Sequence, residues 1–175
     1  MRSFTLLEVI LAITVLTLAV GGSFVLISQT IASVSMIQSK LIASYLVQEG
    51  IEIVKNIRDT NWLKLQPWDQ SLEGGDYEAD YDDFSLTECS FPCDYDHNYN
   101  LHFLKIPDQG FYNYDLGDDT KFKRKITISD KVDLDDPLDG EIDKLKVSVE
   151  VLWKEKGKIH SIIAQEYLYN WTKHE

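Results

Sequence analysis

Hydrophobic positions divide the chain before any other property is considered. Phe4 to Ile27, FTLLEVILAITVLTLAVGGSFVLI, is an almost unbroken apolar run with one charge, Glu8. At ~1.5 Å of rise per residue, a helix of this length matches a bilayer hydrocarbon core of roughly 30 Å. From Ser28 onward Ser, Thr and Gln alternate with aliphatics, and no charge appears until Lys40. Then Ala43, Leu46, Val47, Gly50, Ile51, Val54 and Ile57 recur at spacings of three and four, which predicts a continuing helix with one apolar face. That face suits docking on the sheet of a following domain; a partner site is the alternative. Asp59-Thr60-Asn61 breaks the pattern and predicts the helix end.

Trp62 to Thr120 has no sustained period and holds Pro67, Gly74, Gly75, Pro92, Pro107, Gly110 and Gly117. The expectation is an irregular region with a short strand around Tyr99 to Ile106. Its acidic run, Asp76, Glu78, Asp80, Asp82 and Asp83, is interleaved with Tyr77, Tyr81 and Phe84 and reads as a solvated loop, with an adhesive or subunit-contact surface as the alternative. Strand signals return at Phe122 to Ser129, where Phe122, Ile126 and Ile128 share a face. The clearest β pattern follows. Leu145, Val147, Val149, Val151 and Trp153 alternate with polar residues, Leu152 being the exception. Glu155 to Lys158 supplies a turn, and Ile159 to Trp171 returns antiparallel. The predicted fold class is α+β: a long N-terminal helical spine, membrane-spanning in its first half, packed on a C-terminal antiparallel sheet through the Ala43–Ile57 stripe. The segments are 1–3, ahead of the apolar run; 4–27, the apolar helix; 28–60, its amphipathic continuation; 61–120, the loop-rich region; and 121–175, the sheet of a globular head.

Charge narrows the function classes. A formal charge of −12 argues against nucleic acid, which needs basic surface, and keeps an exported domain soluble. Arg2 before the apolar run holds that end in the cytoplasm and places the remainder outside, where Cys89 and Cys93 meet oxidising conditions. Their CSFPC spacing closes a small loop, turned by Pro92, and predicts a disulfide; free thiols or a metal pair are the alternatives. Asp133, Asp135, Asp139 and Glu141 supply oxygens that a calcium ion would accept, although the spacing does not fit an EF-hand and a turn-forming acidic loop is the simpler reading. No cofactor is otherwise indicated. Asn170-Trp171-Thr172 matches a glycosylation sequon, a pattern short enough to arise by chance. The four histidines, His97, His102, His160 and His174, are scattered, and neither HExxH nor GxSxG nor a glycine-rich phosphate loop occurs, so the chain does not read as an enzyme.

A secretory signal peptide competes for the first residues, with Ala19-Val20-Gly21 as its cleavage site. Glu8 argues against it by interrupting the most apolar stretch, and the chain stays apolar past the supposed cut. Ser3-Phe4-Thr5-Leu6-Leu7-Glu8-Val9 resembles the cleavage and methylation signal of type IV pilins and type II secretion pseudopilins. The resemblance is strong from Ser3 to about Ile27 and loose beyond. It implies that a prepilin peptidase cuts between Ser3 and Phe4, methylates the new amine of Phe4, and leaves the helix attached. Removal of Arg2 would take the formal charge of −12 to −13. Ser3 stands where the family usually has Gly, and the leader is short. Glu8 aligns with the family's acidic residue, which would neutralise the Phe4 ammonium of a neighbouring subunit; snorkelling to the membrane interface is its other reading. Gly21-Gly22 is a place for local unwinding or for close helix packing. The resemblance further implies other pilin or pseudopilin subunits, the prepilin peptidase, an inner-membrane assembly platform and the lipid bilayer as partners. The chain would be a single-pass membrane protein and later part of an extracellular or periplasmic filament, as a minor pilin or minor pseudopilin. A membrane-anchored or secreted binding domain that does not polymerise is the alternative.

Overall fold

The computed structural model describes residues 5–83, 85–89, 93–96, 101–108, 110–133 and 142–170. Two compact units, Met1–Ser39 and Lys40–Glu175, share one α-helix, α1, from Leu6 to Leu63.

In the first unit the apolar side chains from Leu6 to Ile27 are exposed. The few polar side chains among them satisfy themselves locally. Thr14 Oγ1 donates to the Ile10 carbonyl at 2.8 Å, Ser23 Oγ to Ala19 at 2.8 Å, and Ser28 Oγ to Phe24 at 3.0 Å. A hydroxyl bonded back to its own helix asks nothing of solvent, as an apolar surrounding requires. Gly21 and Gly22 are helical, and a Cβ at either would meet nothing.

The second unit begins with the amphipathic part of α1. Ala43, Leu46, Val47, Gly50, Ile51, Val54 and Ile57 are all buried, as the spacing predicts, and Ile53 joins them. The helix passes Asp59-Thr60-Asn61 and ends at Leu63. Its stop is a geometric one: Leu65 N–H donates to the Trp62 carbonyl and Gln66 N–H to Asn61, the pair of bonds of a Schellman motif. Leu65 holds the left-handed position at φ 55, where a glycine costs least. Because Leu65 is 80% exposed, Leu65→Gly should raise stability by about 0.5–1 kcal/mol, read as a shift of the urea midpoint.

The five-stranded antiparallel sheet has the order β2-β1-β5-β6-β7, with β1 Gly75–Glu78, β2 Thr87–Glu88, β5 Phe122–Val132, β6 Lys144–Glu155 and β7 Lys158–Tyr169. Separately, β3 Lys105–Ile106 pairs with β4 Asp118–Asp119. The three long strands form the meander that the alternation predicts. β6 and β7 join through Lys156-Gly157, both at positive φ, 52 and 78, as a two-residue type I′ turn requires. Leu145, Val147, Val149, Val151 and Trp153 are fully buried. Gly50 permits the close approach of α1, since a Cβ there would lie 2.8 Å from Val149 Cγ1. The Ala43–Ile57 stripe and the β6 alternation therefore bury each other.

Two expectations for the middle region need correction. The expected strand around Tyr99 to Ile106 is only β3 among the described residues. The acidic run is not simply a solvated loop. Asp76 and Glu78 belong to β1, which pairs with β5 through Asp76↔Thr127 and Tyr77↔Ile126, while Glu78 and Asp80 are buried. Partners explain the difference: Asp76 Oδ1 accepts Thr127 Oγ1 at 2.6 Å, and Asp80 Oδ2 accepts Tyr114 N–H at 3.1 Å. A carboxylate supplied with donors can be buried, and sequence spacing does not reveal distant donors.

Opposite the helix, Cys89 and Cys93 form a disulfide with Cα atoms 5.8 Å apart. With Leu101 they make a buried cluster against which Leu152 packs, which explains why Leu152 interrupts the alternation of β6. For a loop of sequence separation 4, chain entropy assigns the crosslink roughly 2 kcal/mol. Cys89→Ser with Cys93→Ser should lower the unfolding free energy by about that amount in a denaturant titration.

Candidate assembly site

At the start of α1, Thr5 is the last residue before the helix and Glu8 lies in its first turn. Glu8 N–H donates to the Thr5 carbonyl at 3.1 Å and lies 3.4 Å from Thr5 Oγ1. Thr-x-x-Glu is the spacing of a capping box, and a carboxylate in the first turn complements the positive end of the helix dipole. Glu8 therefore favours the helix start as well as carrying the only charge of the apolar run. The Thr5–Glu8 spacing could have disclosed this second role. Glu8 is exposed in the single chain. Ser3 and Phe4, the expected cleavage and methylation positions, lie outside the described residues.

α1 is long and apolar enough to cross a membrane, by length and composition. Its second half is tied to the sheet by charges that sequence reasoning passed over. Arg124, on the same face of β5 as Phe122, Ile126 and Ile128, is fully buried. Its Nη1 donates to Glu49 Oε2 at 2.9 Å and to the Leu46 carbonyl at 3.3 Å, and its Nη2 to the Ala79 carbonyl at 2.6 Å. One guanidinium thus links α1, β5 and the segment after β1. A cation on an otherwise apolar strand face was the visible signal. Lys55 Nζ reaches Glu166 Oε2 on β7 at 2.9 Å, and this bond raises the lysine pKa.

On the opposite face of the sheet Lys123 is buried. Its Nζ donates to the Tyr95 carbonyl at 2.9 Å and sits 4.4 Å from the Phe103 ring centroid and 5.0 Å from that of Tyr95. Burial pushes this ammonium below the usual lysine value, while Glu78, Asp94 and Asp96 pull it back up. The aromatic faces offset part of the lost hydration.

Of the calcium candidates, Asp133 is half-buried just past β5; Asp135, Asp139 and Glu141 lie outside the described residues. Among the described residues no group of three His, Cys, Asp or Glu side chains is placed to hold a metal. Asn170 of the sequon follows β7, and Trp171 and Thr172 lie outside the described residues. Two of the clefts that the described residues form lie on the head. One, of about 400 Å³, is lined by Glu78, Asp80, Asp82, Asp83, His102 and Asp115 among others. The other, of about 360 Å³, runs between α1 at Ile42, Tyr45 and Leu46 and the loop at Phe111 and Tyr112. The chain matches no protein-family profile, no curated protein and no solved structure.

Proposed function

We propose that this chain is a structural, non-catalytic subunit of a type IV pilus-like or type II secretion-like filament, a minor pilin or minor pseudopilin. In this reading a prepilin peptidase processes it between Ser3 and Phe4. The chain waits in the lipid bilayer with its head outside the cytoplasm, and an inner-membrane platform moves it into a filament of similar subunits. The observation that carries the reading is one helix with two kinds of surface: an apolar, exposed first part holding a single acid at its start, and a second part buried against a sheet. An apolar rod of this kind stays in lipid or packs against copies of itself. In the filament, Glu8 would offset the new ammonium of a neighbour's Phe4, a charge whose burial alone costs several kcal/mol.

Intact-mass analysis of the chain expressed with a prepilin peptidase tests the reading. The expected product begins at N-methylated Phe4. A chain beginning at Gly22 would indicate ordinary secretion, and retained Met1 a plain membrane anchor; either would replace the filament subunit by a binding domain that does not polymerise.

A further inference from the structure

The β2 edge of the five-stranded sheet is acidic, whereas β6, one strand in from the β7 edge, carries a basic face. Between Glu73 and Asp96 every charged side chain is acidic, and this segment contains β1 and the edge strand β2. Asp82 and Asp83 from this segment, with Asp115 from outside it, line the 400 Å³ cleft beside Thr87. Next to it the exposed rings of Tyr81 and Phe111 lie 5.2 Å apart. Lys105 is a cation at this end, with Nζ 3.4 Å from the Asp115 carbonyl.

From Lys144 to Lys158 the balance reverses, with five lysines to two glutamates. Both glutamates face further lysines, Glu150 at 3.8 Å from Lys125 and Glu155 at 3.3 Å from Lys121. The register places Lys144, Lys146 and Lys154 opposite Tyr169, Tyr167 and Ile159, so these side chains share the face of the sheet turned away from α1. These lysines sit one strand in from the edge, and beside them Ile159, Ile163, Tyr167 and Tyr169 of the edge strand β7 are each more than two-fifths exposed on the same face. Lys144 Nζ lies 4.7 Å from the Tyr167 ring centroid, so cation and ring form one mixed surface.

We propose that a second copy of this chain covers this surface: the Lys146–Lys154 face of the β6–β7 edge on one head seats against the acidic β1–β2 edge of the next. The inference rests on the filament reading and names a contact between heads within it. A net charge of −12 makes copies repel in most orientations, so the approach that brings the basic face to the acidic edge is strongly favoured over others. The two surfaces lie four strand spacings apart, about 19 Å, on opposite edges. Each head therefore offers one of each, so the contact is head to tail and need not close on itself.

The full chain in phosphatidylcholine vesicles, with a benzophenone photocrosslinker at Ile163, tests this without requiring a filament. Illumination should give adducts of twice the chain mass, mapped to the segment around Asp82 or Asp115, and their yield should fall as salt rises past the screening range. Lys146→Glu with Lys154→Glu should lower the yield about tenfold, and so should Asp82→Lys with Asp115→Lys. All four changes in one chain should restore it, because the charges are exchanged and not lost. Yields unmoved by either reversal, no recovery in the combined chain, or adducts mapping elsewhere would overturn the contact. Loss of the N-methylated Phe4 product would instead defeat the filament reading and leave these yields to be judged separately.

Discussion

Arg124→Ala is expected to lower the unfolding free energy of the head by about 3–5 kcal/mol, the largest effect of any single substitution considered for stability. Three costs combine. A fully buried side chain is deleted between helix and sheet, which leaves a cavity. The Ala79 carbonyl loses the 2.6 Å bond from Nη2, and an acceptor stranded in the interior costs about 1–3 kcal/mol. Glu49 loses its 2.9 Å partner, but it is partly exposed and can turn to water, so its share is the smallest. Arg124→Met separates these terms. It refills most of the volume and leaves the carbonyl unserved, so its loss should be about 1–3 kcal/mol. Urea unfolding of the full chain in detergent, followed by tryptophan fluorescence, reads both. Equal losses for Ala and Met would mean that packing is irrelevant at this position and that the hydrogen bonds carry the whole effect.

Glu8→Ala should leave membrane insertion intact and lower incorporation into sheared filaments by tenfold or more, the outcome expected if an ammonium is left unpaired in an apolar core. The capping spacing from Thr5 complicates this result, since alanine also removes a favourable first-turn side chain, worth about 0.3–1 kcal/mol through the helix dipole. Glu8→Gln resolves the two roles. Glutamine still suits the third position of a capping box but carries no charge. If charge pairing governs assembly, Gln and Ala fail alike; if Gln assembles like the unsubstituted chain, Glu8 serves the helix start and the pairing role is withdrawn.

Much of the architecture follows from periodicity. The Ala43–Ile57 stripe and the Leu145–Trp153 alternation were legible because burial on one face imposes a repeat of 3.6 or 2 residues, and both faces are buried as those repeats demand. The candidate assembly residues were proposed for a different reason: Ser3, Phe4 and Glu8 lie in one short linear motif, so no folding is needed to bring them together.

What escaped the sequence depends on contacts between distant residues. Asp76 and Glu78 look like loop acids until Thr127 is placed beside the first and His102 beside the second. Arg124 is an ordinary strand cation until Glu49, Leu46 and Ala79, each more than forty positions away in the chain, converge on it. Leu152 breaks a pattern until the Cys89–Cys93 loop covers it. By itself, then, the sequence determined the long helix, its apolar first part, the β meander and the disulfide pair, because local spacing encodes which face is buried. Only the tertiary structure decided which polar groups could be buried and how β1 and β2 extend the sheet, because hydrogen-bond partners come from the fold and leave no periodic trace.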